Sequence, residues 1–196
     1  MRKKIIKPKS LLPDANVIIE AYELNVWPTL LRRVSILVPS IIATDETLFY
    51  YPEHQKIPDP INLLSLAESD EITILEATAK EMEDIFSLFD KSFIGQLHEG
   101  EAEALALLHF RPNLDHQFCS ADAAAIRAFA MVGLSSRAIS FERLLASYGL
   151  QKKLDYQFKD KFLKENLKVG QQMRITGQGL SKKDKDIIRD LLQKIQ

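Results

Sequence analysis

Residues 10–24 read SLLPDANVIIEAYEL, and the fold turns on the change of pattern at Asp14. The apolar run Ser10–Pro13 suits a short buried strand, and the stretch from Ala15 has helical spacing. A charge between two segments bound for a core has two explanations. Asp14 caps the helix that begins at Ala15, a favoured role for aspartate, or it serves a site at the end of a strand. Capping and ligation are compatible in one residue.

Working outward, four more apolar runs read as strands: VSILVP (34–39), ITIL (72–75), QFCS (117–120) and VGLSSRAI (132–139). Helical patterns separate them: SIIATDETLFYY (40–51), TAKEMEDIFSLFDKSF (78–93), GEAEALALLHF (100–110) and ADAAAIRAFAMVG (121–133). Strands alternating with helices predict an α/β fold, a mainly parallel sheet with helices on both faces. The segment YPEHQKIPDP (51–60), with three prolines, reads as a loop insertion. Residues 166–184 hold three of the seven glycines and read as a linker with a short extended piece. Beyond it, Ile187, Ile188, Leu191, Leu192 and Ile195 form one helical stripe, with Ser181 as its N-cap. That stripe serves its own domain, a partner protein or a second copy of the chain, a homodimer. The division is therefore a domain over 1–150 and a C-terminal extension over 151–196.

Composition narrows the function. The chain has 196 residues, 46% hydrophobic and 27% charged, with a net charge of −1. Bulk electrostatics does not announce a nucleic-acid binder, so any basic surface is local. The basic arm MRKKIIKPKS at the N-terminus offers weak phosphate contact. A single cysteine, Cys119, excludes a disulfide framework and a cysteine-rich zinc site. No apolar run approaches the ~20 residues of a membrane span, and no signal peptide is legible. A soluble, cytoplasmic protein without membrane partners is expected.

In open parallel sheets, sites form beyond the carboxyl ends of the strands. Asp14 follows the first strand, Asp45 and Glu46 lie after the second, Glu101 and Glu103 open the helix after HEG, and Ser120 and Asp122 follow QFC. Several carboxylates in one cleft suit Mg²⁺ or Mn²⁺, which prefer oxygen ligands. Such ions activate water for in-line attack on a phosphodiester and stabilise the leaving oxygen. Each residue also has an ordinary explanation as a cap, a helix-dipole partner or a surface charge. His98 is the histidine nearest the candidate site, and Cys119 reads as a small buried hydrophobe beside it.

The ordered set LLPDANVIIEA, ILVPSIIATDETLFY, LHEGEAEALALLHF and FCSADAAAIRAFAMVGL resembles the PIN-domain family over about residues 8–150. The resemblance implies a three-layer α/β/α sandwich around a five-stranded parallel sheet. It also implies Mg²⁺- or Mn²⁺-dependent cleavage of single-stranded or structured RNA, and a toxin held by a cognate antitoxin. The family's first aspartate maps to Asp14 and its following polar position to Asn16. The second acidic position is Asp45 by its distance from the strand-end proline, or Glu46 by residue type and the following TLFY; residue type favours Glu46. Adjacent helical residues point ~100° apart, so one of the two faces the cleft. The third maps best to Glu103, because EALALL continues like the family's helix, with Glu101 the alternative. The fourth maps to Asp122, with Ser120 in the preceding hydroxyl position.

On this reading Asp14, Glu46 (or Asp45), Glu103 and Asp122 hold the cation, Asn16 and Ser120 support it, and Arg127 and Arg137 hold the substrate backbone. The rivals are a non-catalytic PIN-like module and a phosphotransfer domain. The latter wants a paired acidic motif that PDAN lacks. Pro13 departs from the family pattern: it removes a ladder donor from a central strand.

Overall fold

The computed structural model describes residues 10–46, 48–52, 56–111 and 116–181. The basic arm before Ser10 and the amphipathic stripe over 187–195 lie outside the described residues.

In chain order the elements are β1 (Ser10–Pro13), α1 (Ala15–Glu23), α2 (Trp27–Leu31), β2 (Ser35–Pro39), α3 (Ser40–Thr44), β3 (Leu48–Tyr50) and β4 (Asp59–Ile61). Then come α4 (Leu63–Glu68), β5 (Ile72–Leu75), α5 (Ala79–Ser87), α6 (Lys91–Ile94), α7 (Glu99–Phe110) and β6 (Gln117–Cys119). The chain continues through α8 (Ala123–Met131), α9 (Phe141–Ser147) and α10 (Asp160–Thr176). Strands β1, β2, β5 and β6 form a parallel sheet in the order β5-β2-β1-β6.

Alternate strand residues feed opposite cores, as the two-residue period of a pleated strand requires. Leu11, Ile36, Val38 and Cys119 join one core with α1, α2 and α9. Leu12, Leu37 and Phe118 join the other with α5, α7 and α8. The sheet is thus flanked by helices on both faces, which agrees with the α/β/α layering expected. No helix among the described residues is long and apolar enough to cross a membrane.

Four strands stand in the parallel sheet where five were expected. The chain after α8 turns at Gly133, whose φ is +86°, and coils in a 3-10 turn over Ser135–Arg137. Two residues then remain before Ser140 caps α9, and a single parallel bridge, Phe118 to Ala138, is all that forms. The helix expected over 40–51 stops at Thr44. Leu48–Tyr50 instead pairs antiparallel with Asp59–Ile61, so the proline-rich segment closes a hairpin. Each strand of a two-stranded ribbon has a free edge, which is where Pro60 is tolerated.

Pro13 has a similar reason. The Asp14 N–H donates to Cys119 O at 2.9 Å, on the β6 side. Successive N–H groups address opposite neighbours, so the donor that Pro13 lacks would face β2. Pairing between β1 and β2 already ends at Leu11–Ile36, and no ladder bond is lost.

The described part of the expected extension beyond residue 150 packs on the domain. Leu154 and Phe158 pack in one core with Val17 and Phe141, and Leu180 packs in the other. The expected linker over 166–184 is helical to Thr176 and ends at Gly177 in the left-handed conformation, φ 70°. Its short extended piece is one bridge, Leu180 to Phe89. On α8, the backbone of α10 comes so close that a Cβ on Gly170 would lie 2.4 Å from Arg127 O.

Candidate active site

Connections from β1 run toward β2 and β5, whereas β6 lies on the other side of β1. The crevice beyond the ends of β1 and β6 is therefore the topological switch point of the sheet, where such folds place ligands. Asp14, Ser120 and Asp122 all stand there.

Asp14 is the N-cap of α1, as expected, and more besides. Its Oδ1 accepts from Val17 N at 2.7 Å. Its Oδ2 accepts from Ser120 Oγ at 2.5 Å and from Ala121 N at 3.0 Å. Ser120 Oγ in turn accepts from Asp122 N at 2.9 Å, and Asp122 Oδ1 caps α8 by accepting from Ala125 N at 2.9 Å. One hydroxyl thus ties the two aspartates into a fixed frame. Burial pushes the Asp14 carboxyl up to about 6, against the lowering effect of Ser120, Val17 and Ala121. The nearby charge of Asp122 pushes it the same way.

The two glutamates of α7 part company. Glu103 is 1% exposed and faces away from this frame. Its Oε1 accepts from Ser40 Oγ at 2.6 Å and Ala77 N at 2.9 Å, and its Oε2 from Ile41 N at 2.8 Å. These bonds lock the start of α3 to the loop after β5, a packing role. Glu101 is 6% exposed, and its Oε2 accepts from His98 N at 3.2 Å. Burial first, then the charges of Asp122, Asp14 and Glu46, raise its carboxyl to about 8. Glu101, not Glu103, is the α7 carboxylate that stands by the aspartates. The signal was in the sequence only as an alternative, because residues two apart on a helix point ~200° apart and both are buried here.

Glu46 is half-buried and lies against Gly100, where an added Cβ would be 2.6 Å from Glu46 Oε1. The glycine of GEAEA thus lets this carboxylate reach the start of α7. Burial raises the Glu46 pKa and the charge of His98 lowers it. Asp45 points outward, exposed, and its Oδ1 accepts from Thr44 Oγ1 at 2.8 Å. Asn16 is exposed in the first turn of α1.

The arginines expected to hold substrate are engaged in packing. Arg127 Nε donates to Asn166 Oδ1 at 2.9 Å and ties α8 to α10. Arg137 Nη1 approaches Leu108 O at 3.4 Å, where a cation complements the carboxyl end of α7. Leu108 is seven residues along α7 from Glu101, about 10 Å from the site. Cys119 is buried beneath Asp14, and burial raises its thiol pKa well above the ordinary value.

The donor set suits a hard cation: oxygen ligands only, at a place where burial and neighbouring carboxylates raise the pKa of Asp14 and Glu101. No basic side chain is among the groups that act on Glu101 or Asp14. Among the described residues, however, no three His, Cys, Asp or Glu side chains are gathered tightly enough to cage an ion. Asp14 and Asp122 are held by the Ser120 hydroxyl, Glu101 by the His98 N–H, and Glu46 lies against Gly100. Family models, curated proteins and solved structures offer no match to the chain.

Proposed function

We propose that the chain is a nuclease that hydrolyses phosphodiester bonds in RNA, with Mg²⁺ or Mn²⁺ held by Asp14, Glu101 and Asp122 and approached by Glu46. One observation carries the reading: Ser120 joins Asp14 and Asp122 at the switch point of the sheet, and buried Glu101 feels the charge of both. A bound cation supplies positive charge for the phosphoryl oxygen and lowers the pKa of attacking water. The protein's part is orientation. Three hydrogen bonds hold the Asp14 carboxylate in one pose, and Ser120 keeps Asp122 in step with it. Glu101 holds a proton near neutral pH and gives it up when a cation enters. The toxin role and antitoxin partner extend this proposal and rest on the PIN-domain resemblance alone.

The test is cleavage of a labelled single-stranded RNA by wild type, Asp14→Asn and Asp122→Asn, with Mg²⁺, Mn²⁺ or EDTA. Cleavage is expected to require the cation and to fall about 100-fold or more in each variant. Undiminished cleavage by both variants overturns the site. The rival reading is a non-catalytic module that binds RNA or a protein, in which Asp14 and Asp122 serve as helix caps and Glu103 as a tie. RNA binding by wild type with no cleavage under any cation would select it.

A further inference from the structure

Positive charge is unevenly spread along the chain. Residues 151–168 carry six lysines against three acids, in a chain whose net charge is −1. Helix α10 displays half of those lysines. Lys161, Lys164 and Lys168 are exposed and fall within roughly 60° of one another around the helix. The opposite face, Leu163, Asn166 and Gly170, is buried on α8.

Helices α8 and α10 run parallel and in step. Arg127 bonds Asn166, Gly170 lies on Arg127 and Ala130, and Gly133 lies against Arg174. Counting back five residues on each helix places Lys161 level with Asp122. The start of α10 is also anchored at the carboxyl edge of the sheet, because Asp160 N donates to Glu142 Oε2 at 2.8 Å. Ser140 Oγ donates to Asp160 Oδ1 at 3.3 Å. The lysines therefore ride on a rigid support that begins beside the carboxylates.

Their present partners hold them weakly. Lys164 pairs with half-buried Asp160 at 2.5 Å and Lys161 with exposed Glu165 at 4.0 Å, both i,i+4 pairs whose lysine ends are in solvent. Such pairs add little to stability and exchange readily for another anion. From Lys161 to Lys168 the row spans about 10 Å, room for two or three phosphates of an extended strand.

We infer that the outer face of α10 is a phosphate rail: Lys161, Lys164 and Lys168 contact the sugar–phosphate backbone of a strand passing the Asp14–Glu101–Asp122 site. The choice of ligand rests on the nuclease reading. The contacts themselves are independent of metal and of chemistry.

Fluorescence anisotropy with a labelled single-stranded RNA, and with DNA of the same sequence, tests this in EDTA between 50 and 200 mM KCl. The proteins are wild type, Lys161→Gln/Lys164→Gln/Lys168→Gln, and a control with exposed Lys56, Lys80 and Lys91 changed to Gln. Each single-strand phosphate contact contributes about 0.7 to the slope of log K against log salt. The rail variant is expected to lose about 2 from that slope on both nucleic acids, and the control far less. An RNA effect absent on DNA would place the contact at the 2′-hydroxyl and overturn the phosphate assignment. No binding by wild type, equal loss in the control, or equal competition by polyglutamate would also overturn it. If wild type binds with the expected slope but never cleaves, the nuclease reading fails and the rail stands. If it cleaves and the rail variant keeps the wild-type slope, the rail alone fails.

Discussion

Glu101 and Glu103 lie two residues apart on α7, both buried, and their surroundings differ in kind. Glu103 faces donors: one hydroxyl and two backbone N–H groups from the ends of other elements. Glu101 accepts one backbone N–H, from His98, and feels the charges of Asp122, Asp14 and Glu46. A buried carboxylate surrounded by donors is a structural tie whose oxygens all have partners. One that is buried within the field of other carboxylates carries its charge at a cost, which a proton or a cation relieves. On the cation-site proposal, the contrast separates scaffold from site on a single helix.

Several measurements would break or sharpen that contrast. The largest effect on stability is expected from Glu103→Ala, which strands the Ile41 and Ala77 N–H groups and the Ser40 hydroxyl. Unsatisfied buried groups cost about 1–3 kcal/mol each, so a loss of about 3–5 kcal/mol follows, read as a fall in Tm of about 10 °C. An unchanged melt would mean that Glu103 is not a tie. Next comes Mn²⁺ itself. At 100 times its Kd a bound ion stabilises by about 2.7 kcal/mol, roughly 5–10 °C in Tm, and Asp14→Asn should abolish the response.

A smaller effect appears without metal. Glu101 and Asp14 have carboxyl pKa values raised to about 8 and about 6 in the fold. The folded protein then binds protons more tightly than the unfolded chain, so its stability falls as pH rises from about 4.5 toward about 8. Glu101→Gln should flatten that fall in a pH series of thermal melts. The gain at pH 8 is on the order of 2 kcal/mol, with little change at pH 4. A variant less stable than wild type at pH 8 would mean that Glu101 is satisfied as an anion. The smallest effect belongs to Gly100→Ala. The new methyl would press on Ile42 and Glu46, and overpacking partly offset by helix propensity nets about 1 kcal/mol. Its clearer trace is weaker Mn²⁺ binding, followed by the same melts.

Four strands were legible because each is a short apolar run with its own boundary: SLLP matches β1 and ITIL matches β5, while VSILVP and QFCS each overrun β2 and β6 by one residue. The cap Asp14 was legible for the same local reason, and the cap of α8 was narrowed to Ser120 or Asp122, of which Asp122 is the one. Features set by neighbours were not. The part of α10 from Asn166 on was read as a linker because its buried face there is built from Asn166 and Gly170, polar or small residues that let α8 come close. The hairpin of β3 and β4 was hidden because its strands have three residues each, too few for a two-residue period to register. Glu101 could not be told from Glu103 by polarity, since α7 is buried on all sides from Gly100 to Leu108. Arg127 and Arg137 looked free to meet a substrate, and only packing shows them bound to Asn166 and to the end of α7.

The central claim is that Asp14, Glu101 and Asp122 form a cation site in which Glu101 holds the displaceable proton. Calorimetric titration of Mn²⁺ at pH 7, in two buffers of different ionisation enthalpy, measures affinity and proton release together. Wild type is expected to bind with release of about one proton, and Glu101→Gln to bind at least ~10-fold more weakly with little release. Wild type that takes up no Mn²⁺, or a Glu101→Gln variant matching it in affinity and protons, would contradict the claim.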